Sequence, residues 1–317
     1  CEKGEKTGGL VNTFRYRGFA FDAGVRAFED SGIIFPMLRS LEIDLPMTQN
    51  PVSIGISDRW TKLSGRESLR EYGNLLLSQF PDQEAEIERI LQEIERVMEY
   101  MDVLYGIENP LFLDDFRDLE YLTKTLLPWL IKYSVNIKKA ARLNEPVKAY
   151  LRKFTSSEPL IDMICQHFFA ETPTFFALSY FGLYLDYRYP LGGTGQLAEK
   201  LTERFVQLGG TVRLSTAVTR VFSDLKQAEL SDDTRVEYDT LIWAANQRSL
   251  YEGLNEPLPQ KAEAQKQLAA ESQGMDSVLT LFLGVSGAPE TVAARCGTHA
   301  FYTPDTSGLS TLPHWRT

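Results

Sequence analysis

Along the first sixty residues apolar side chains recur every second position. Phe14 and Tyr16, then Phe19 and Phe21, flank Arg17-Gly18, and a period of two with a glycine at the turn predicts a hairpin. Val52, Ile54 and Ile56 alternate in the same way before Ser57-Asp58-Arg59, and Trp60 to Leu63 would return antiparallel. The spacing then lengthens. Ser64-Gly65-Arg66-Glu67 reads as a capping box, after which Leu69, Tyr72, Leu76 and Phe80 fall on one helical face. Beyond Pro81-Asp82 the clearest amphipathic helix places Ile87, Ile90, Leu91, Ile94, Val97, Met98 and Met101 along one stripe, with glutamates opposite. Phe116, Leu119, Leu122, Leu126 and Leu130 continue a helical pattern, with a break expected near Pro128, and helical spacing persists to about Tyr187.

At Gly192-Gly193 the pattern changes again. Leu197, Leu201 and Phe205 mark a helix that should stop at Gly209-Gly210, where glycine accepts the left-handed cap. Short strands are expected at Thr211 to Ser215, Ala217 to Phe222, Gln227 to Leu230 and Arg235 to Tyr238, with a turn at Ser231-Asp232-Asp233-Thr234. Leu241-Ile242-Trp243-Ala244-Ala245 is apolar on both sides, as expected of a strand covered on both faces. Ser277 to Val285 reads as a further strand, and the Pro-, Gly- and Thr-rich end leaves its sheet incomplete. The whole is a mixed α/β chain. Its expected parts are a Rossmann-like portion at 1–63, an inserted helical domain at 64–188, a return to the first domain at 189–250, and the start of another sheet at 251–317.

Composition narrows the function. At 317 residues and 43% hydrophobic content the chain can bury a substantial core, and its formal charge of −10 without any basic block argues against nucleic acid as a partner. Cys1, Cys165 and Cys296 form no CxxC spacing, which suits reduced thiols in a cytoplasmic protein. His167, His299 and His314 are too dispersed to suggest a metal cluster. The N-terminus has no apolar signal-peptide core and does not begin with Met, so Cys1 is not expected to be the natural start. The most apolar run, Phe175 to Leu185, is shorter than the roughly 20 residues needed to span a bilayer. Peripheral contact with a membrane surface stays compatible with the sequence.

In dinucleotide-binding folds an acidic residue ending the second strand, about 20 residues after the glycine loop, takes the adenosine ribose. Glu2 stands in such a position, and Gly8-Gly9 would let the backbone approach a cofactor closely. On the residues alone the simpler reading is that Glu2 belongs to a solvated Glu/Lys run and Gly8-Gly9 is a simple turn. Thr7-Gly8-Gly9-Leu10 followed by Gly18-Phe19-Ala20-Phe21-Asp22-Ala23-Gly24, and later Tyr189-Pro190-Leu191-Gly192-Gly193-Thr194-Gly195-Gln196-Leu197 with Gly209-Gly210-Thr211-Val212, carry a more specific signal. In that order, around a helical insertion, they resemble the phytoene desaturase, carotenoid isomerase and retinol saturase group of FAD-dependent oxidoreductases and, more distantly, the amine oxidases.

The resemblance implies FAD as cofactor, with Glu2 at the ribose, Gly8 and Gly9 beside the pyrophosphate, and the Val218 backbone against the adenine edge. It implies further that Ala244 and Ala245 pass close to the cofactor, and that Asp22, Gly24 and Arg26 approach the flavin side. On the residues alone, Arg26 could equally form a surface ion pair. Leu10 stands where many relatives have arginine, removing one phosphate contact. The GxGxxG loop expected before Glu2 and the family's C-terminal closing segment are not in this sequence, so the chain by itself is expected to bind FAD weakly or not at all. The aromatic-dense stretch Phe168 to Tyr189 would suit an apolar, polyene-like small-molecule substrate, or else a packed helical core. His167 reads more simply as a core or surface residue than as a base. The implied reaction is desaturation, saturation or isomerisation of a double bond. A flavin amine oxidase and a truncated, non-catalytic lipid-binding or interaction module are the alternatives.

Overall fold

The computed structural model describes residues 1–104, 106–107, 118–169, 171–255, 258, 260–272 and 278–308, apart from the side chains of residues 293, 295 and 296. Phe116, Ser277 and His314, each part of an expectation above, lie outside these residues. Helices and strands are mixed throughout, in two compact units: Cys1–Val25 with Gly193–Phe282, and Arg26–Gly192 with Leu283–Thr317. The expected boundary at residues 63/64 therefore falls inside the second unit. Pairing explains the difference. Strand Val52–Ile56 is antiparallel to Arg59–Leu63 on one side and parallel to His299–Thr303 on the other, so this hairpin belongs to the same sheet and core as the helices that follow it.

In the first unit the hairpin Thr13–Tyr16/Phe19–Asp22 forms as expected. Arg17 (φ 50°) and Gly18 (φ 84°) both take the left-handed conformation that a tight two-residue turn demands. Helix Gly195–Gln207 buries Leu197 and ends where Gly209 (φ 90°) lets the Gly210 N–H reach back to the Phe205 carbonyl at 2.9 Å. Phe205 does not join the buried face; it is 51% exposed and its ring covers Gly210. An antiparallel meander follows through Val218–Phe222, Gln227–Leu230 and Arg235–Glu237.

Three expected strands do not form ladders among the described residues. Residues 213–216 run beside residues 2–4 through Glu2 N–H to Arg213 O (2.8 Å), Thr216 N–H to Glu2 O (2.9 Å) and Ser215 N–H to Gly4 O (2.8 Å), without becoming a regular strand pair. Leu241 to Ala245 is unpaired, and Ile242 is 85% exposed rather than covered. Residues 278–285 likewise form no regular strand, and Leu279 is 98% exposed. Within this segment Phe282 packs on the hairpin rings of Phe14 (5.0 Å) and Phe21 (5.4 Å). An apolar pattern specifies burial, but a strand also needs a neighbour for its N–H and C=O groups. Among the described residues these segments join no sheet.

The second unit holds the larger core. Helix Ser68–Gln79 starts without the expected capping box: Glu67 makes no side-chain cap, and the Ser68 hydroxyl instead accepts from the N–H groups of Ser64 (3.2 Å) and Gly65 (3.4 Å). Helix Glu84–Leu104 buries Ile87, Ile90, Ile94, Val97, Met98 and Met101 as its spacing predicts. Glu93 departs from the polar face. It is 8% exposed, paired with Arg96 (2.8 Å) and accepting from the Tyr150 hydroxyl. Pro128 does not break its helix. It sits in the first turn of Leu127–Ala141, and a π-helical segment, Leu122–Leu126, precedes it. Three short helices, Val147–Leu151, Glu158–Cys165 and Thr174–Tyr184, complete the core. Helix Ile34–Ser40, strand pair Met47–Gln49/Arg188–Pro190 and strand His299–Thr303 were not foreseen.

Candidate functional site

In the first unit the hairpin and the glycine-rich turn at 192–195 build a single polar node. Asp22 is buried beside Thr13, its cross-strand partner, and accepts from the Thr13 hydroxyl at 2.8 Å and from the Thr194 N–H at 3.0 Å. The Thr13 oxygen in turn accepts from the Gly195 N–H at 3.0 Å. One carboxylate and one hydroxyl thus satisfy two N–H groups that open helix Gly195–Gln207, with the negative charge at the positive end of the helix dipole. The glycines are required by this contact. Gly193 has φ 106° and a Cβ there would lie 2.9 Å from Thr13 Cγ2, while one on Gly195 would lie 2.6 Å from Thr13 N.

The other residues expected at a cofactor are distributed as follows. The Glu2 carboxylate is oriented by the Gly4 N–H at 2.7 Å, which leaves its second oxygen available to a hydroxyl-bearing ligand. Gly9 takes φ 54° and a Cβ added there would meet nothing within 4 Å, so this backbone faces open space. Gly8 (φ 107°) is closed off instead: a Cβ there would strike the Val11 carbonyl and come within 2.7 Å of Ala198. Gly24 is held by the neighbouring loop, Leu10 Cβ lying 2.9 Å from where its own Cβ would be. Val218 opens the meander opposite Leu230, next to a bulge. Ala244 and Ala245 are exposed in the unpaired segment. Arg26 belongs to the second unit, is exposed, and its carbonyl accepts from Asn50 Nδ2 at 3.4 Å. Glu2 and Gly9 fit a dinucleotide, an acceptor and an open backbone; Gly8 and Asp22 are used within the chain.

The second unit contains a connected set of aromatic rings that the sequence showed only in part. His167 lies edge-on to Phe301 with centroids 4.2 Å apart, and within 6 Å of Phe168, Phe181 and Tyr184. Tyr184 extends the set to Tyr180 and Tyr187, Phe181 to Tyr72, and His299 bridges Tyr187 and Phe301. Strand His299–Thr303 thereby brings two of the dispersed histidines together. Both imidazoles are lowered from their ordinary pKa. Burial pushes His167 down to about 3, with its neighbour His299 acting in the same direction, and His299 is lowered by burial and by Arg26. Burial raises the Tyr72 and Tyr184 phenols. Both ring nitrogens of His167 and the hydroxyls of Tyr72 and Tyr184 are buried without a hydrogen-bond partner in the chain. Four unpartnered polar atoms in one aromatic set are the mark of a place that takes water or a ligand. Cys165, close by, is buried with its thiol pushed up to about 12, far from the reactive thiolate range. No group of described residues is arranged to hold a metal ion.

Residues 1–312 match the family of flavin containing amine oxidoreductases. The chain belongs to that family. Among solved structures, similar folds include a Pyrococcus furiosus protein (TM-score 0.55, 10% identity, covering 86% of this chain and 58% of that one). An oxidoreductase from Methanosarcina mazei (0.52, 13%, 86% and 59%) and putrescine oxidase (0.51, 17%, 84% and 56%) are also similar. The chain spans between 56% and 59% of the length of these three structures. No curated protein matches the chain in sequence.

Proposed function

We infer that the complete protein is an FAD-dependent oxidoreductase acting on a double bond of an apolar, conjugated substrate, by desaturation, saturation or isomerisation. Glu2 would take the adenosine ribose, the open backbone at Gly9 the pyrophosphate, and Val218 the adenine edge. Gly8 and Asp22 would act one step away, by fixing the loop and the helix that shape the site. Bound FAD would supply a two-electron carrier, an acceptor for desaturation, a donor in its reduced form for saturation and unchanged overall in isomerisation, and the chain supplies orientation and an apolar environment.

The observation that carries the substrate class is the ring set around His167. It is aromatic, wholly or partly buried, and both its imidazoles are lowered in pKa by burial, so it favours an apolar guest over a charged one. A second reading, oxidation of an amine, is favoured by the fold likeness to putrescine oxidase and by the attraction of aromatic faces for a cation. The two separate in one experiment. The complete, flavin-loaded protein is mixed anaerobically with a polyene, a retinoid or an alkyl diamine while the flavin absorbance is followed. Bleaching of the oxidised flavin, recolouring of the reduced flavin, or isomerised product with the flavin unchanged, obtained with the polyene or retinoid alone, supports the first reading, and bleaching by the diamine alone replaces it with the second.

A further inference from the structure

Among the described residues, helix Leu127–Ala141 is held on one side, against helix Glu84–Leu104. Trp129 donates its indole N–H to the Val103 carbonyl at 2.6 Å and lies tilted against Tyr133 with centroids 4.8 Å apart, Ala140 is buried, and Lys139 lies over the Tyr100 ring at 5.3 Å. These contacts fix the helix against Glu84–Leu104. The outward side is apolar: Leu127 is 55% exposed, Leu130 43%, Ile131 62% and Val135 51%, with Leu119 at 74% one segment earlier. Leu127, Ile131, Val135, Lys138 and Arg142 follow one another at spacings of three and four, so a single face runs from aliphatic to cationic toward its C-terminal end. Between Tyr121 and Asn144 the sequence has five basic residues, Lys124, Lys132, Lys138, Lys139 and Arg142, and no Asp or Glu.

That local excess of positive charge stands in a chain of net charge −10. A second copy meeting this one through the same face would bring the same cations against these, and like charges repel. We propose that this face docks the protein on an anionic lipid surface, with Leu127, Ile131 and Val135 entering the acyl boundary and Lys132, Lys138 and Arg142 meeting the headgroups. An interfacial helix combines an apolar face with flanking Lys/Arg in this way and need not span. No helix among the described residues is long and apolar enough to cross a membrane. The helix would rest along the surface. The proposal is independent of which substrate the flavin site takes.

The test uses the complete protein and sedimentation with vesicles of phosphatidylcholine, alone or with one third phosphatidylserine. Each phosphate-facing cation contributes roughly fivefold to partitioning, so Lys138→Glu/Arg142→Glu is expected to lower binding to the anionic vesicles more than tenfold. Raising the salt should act in the same direction. Ile131→Ser/Val135→Ser, which leaves the charge unchanged, is expected to weaken binding as well. Both pairs are exposed, so the thermal transition should match that of the wild type. Failure of the wild type to bind the anionic vesicles, equal binding to neutral ones, or indifference to both variants would overturn the proposal. So would a wild-type dimer that either variant dissolves, because the face would then be an interface between copies.

Discussion

His167→Phe isolates the energetic consequence of burying an imidazole with no partner. In the folded chain the ring is held near pKa 3 by desolvation, against an ordinary value of 6.5. Between these values the unfolded chain takes up a proton and the folded chain does not. Stability contributed by the neutral ring is therefore fully present above pH 6.5 and falls as the pH drops, levelling only near pH 3. The loss is about 1.4 kcal/mol per pH unit, or about 2 kcal/mol at pH 5. Phenylalanine keeps the ring contacts with Phe301 and Tyr184 but cannot take a proton. Denaturant titrations of both proteins at constant ionic strength, from pH 7.5 to 5, should give curves that diverge in favour of the variant by about 2 kcal/mol at pH 5. At pH 7.5 the two should lie within about 1.5 kcal/mol. Carboxylates titrate in both proteins and cancel in the difference. A difference that does not change with pH would show that the imidazole is protonated in the fold, and would remove the case for an uncharged ring set.

Two further outcomes follow from buried charges. Asp22→Ala removes the acceptor for the Thr194 N–H and the Thr13 hydroxyl. It should cost about 3 kcal/mol of stability, measured by denaturant unfolding of the complete protein, and Asp22→Asn, which keeps an oxygen acceptor, should recover part of it. Asp162, 1% exposed, receives the Lys148 ammonium at 2.5 Å. Asp162→Ala leaves that cation without its carboxylate and is expected to lower stability by about 3 to 5 kcal/mol, whereas Lys148→Met/Asp162→Leu should lose much less in the same assay.

Local signals in the sequence were legible where the structure is local. The hairpin at Arg17-Gly18 and the stripe from Ile87 to Met101 were read correctly because a turn residue and a helical period are complete within a few residues. The short run His299 to Thr303 escaped notice because its partner, Val52–Ile56, is far away in sequence and it lies in a Gly- and Thr-rich stretch. The meeting of His167 and His299 was hidden for the same reason. Leu241 to Ala245 shows the opposite error: composition marked it for burial, but pairing depends on a neighbour that a run of residues cannot reveal. Asp22 was picked out by resemblance as a residue near the flavin. Its capping of the helix at Thr194 was readable only with Thr13 opposite it and glycines at 193 and 195 making room.

The parallel pairing of His299–Thr303 with Val52–Ile56 also sets an order for synthesis. Val52–Ile56, with apolar residues on the core side, leaves the ribosome long before the strand that covers its second edge exists. Throughout that interval the nascent hairpin presents open N–H and C=O groups, the template on which chains aggregate. Loop closure over so long a separation is slow as well as late. The protein should therefore depend on a chaperone, or on rapid packing of helix Ser68–Gln79 against Arg59–Leu63, more than its final stability would suggest.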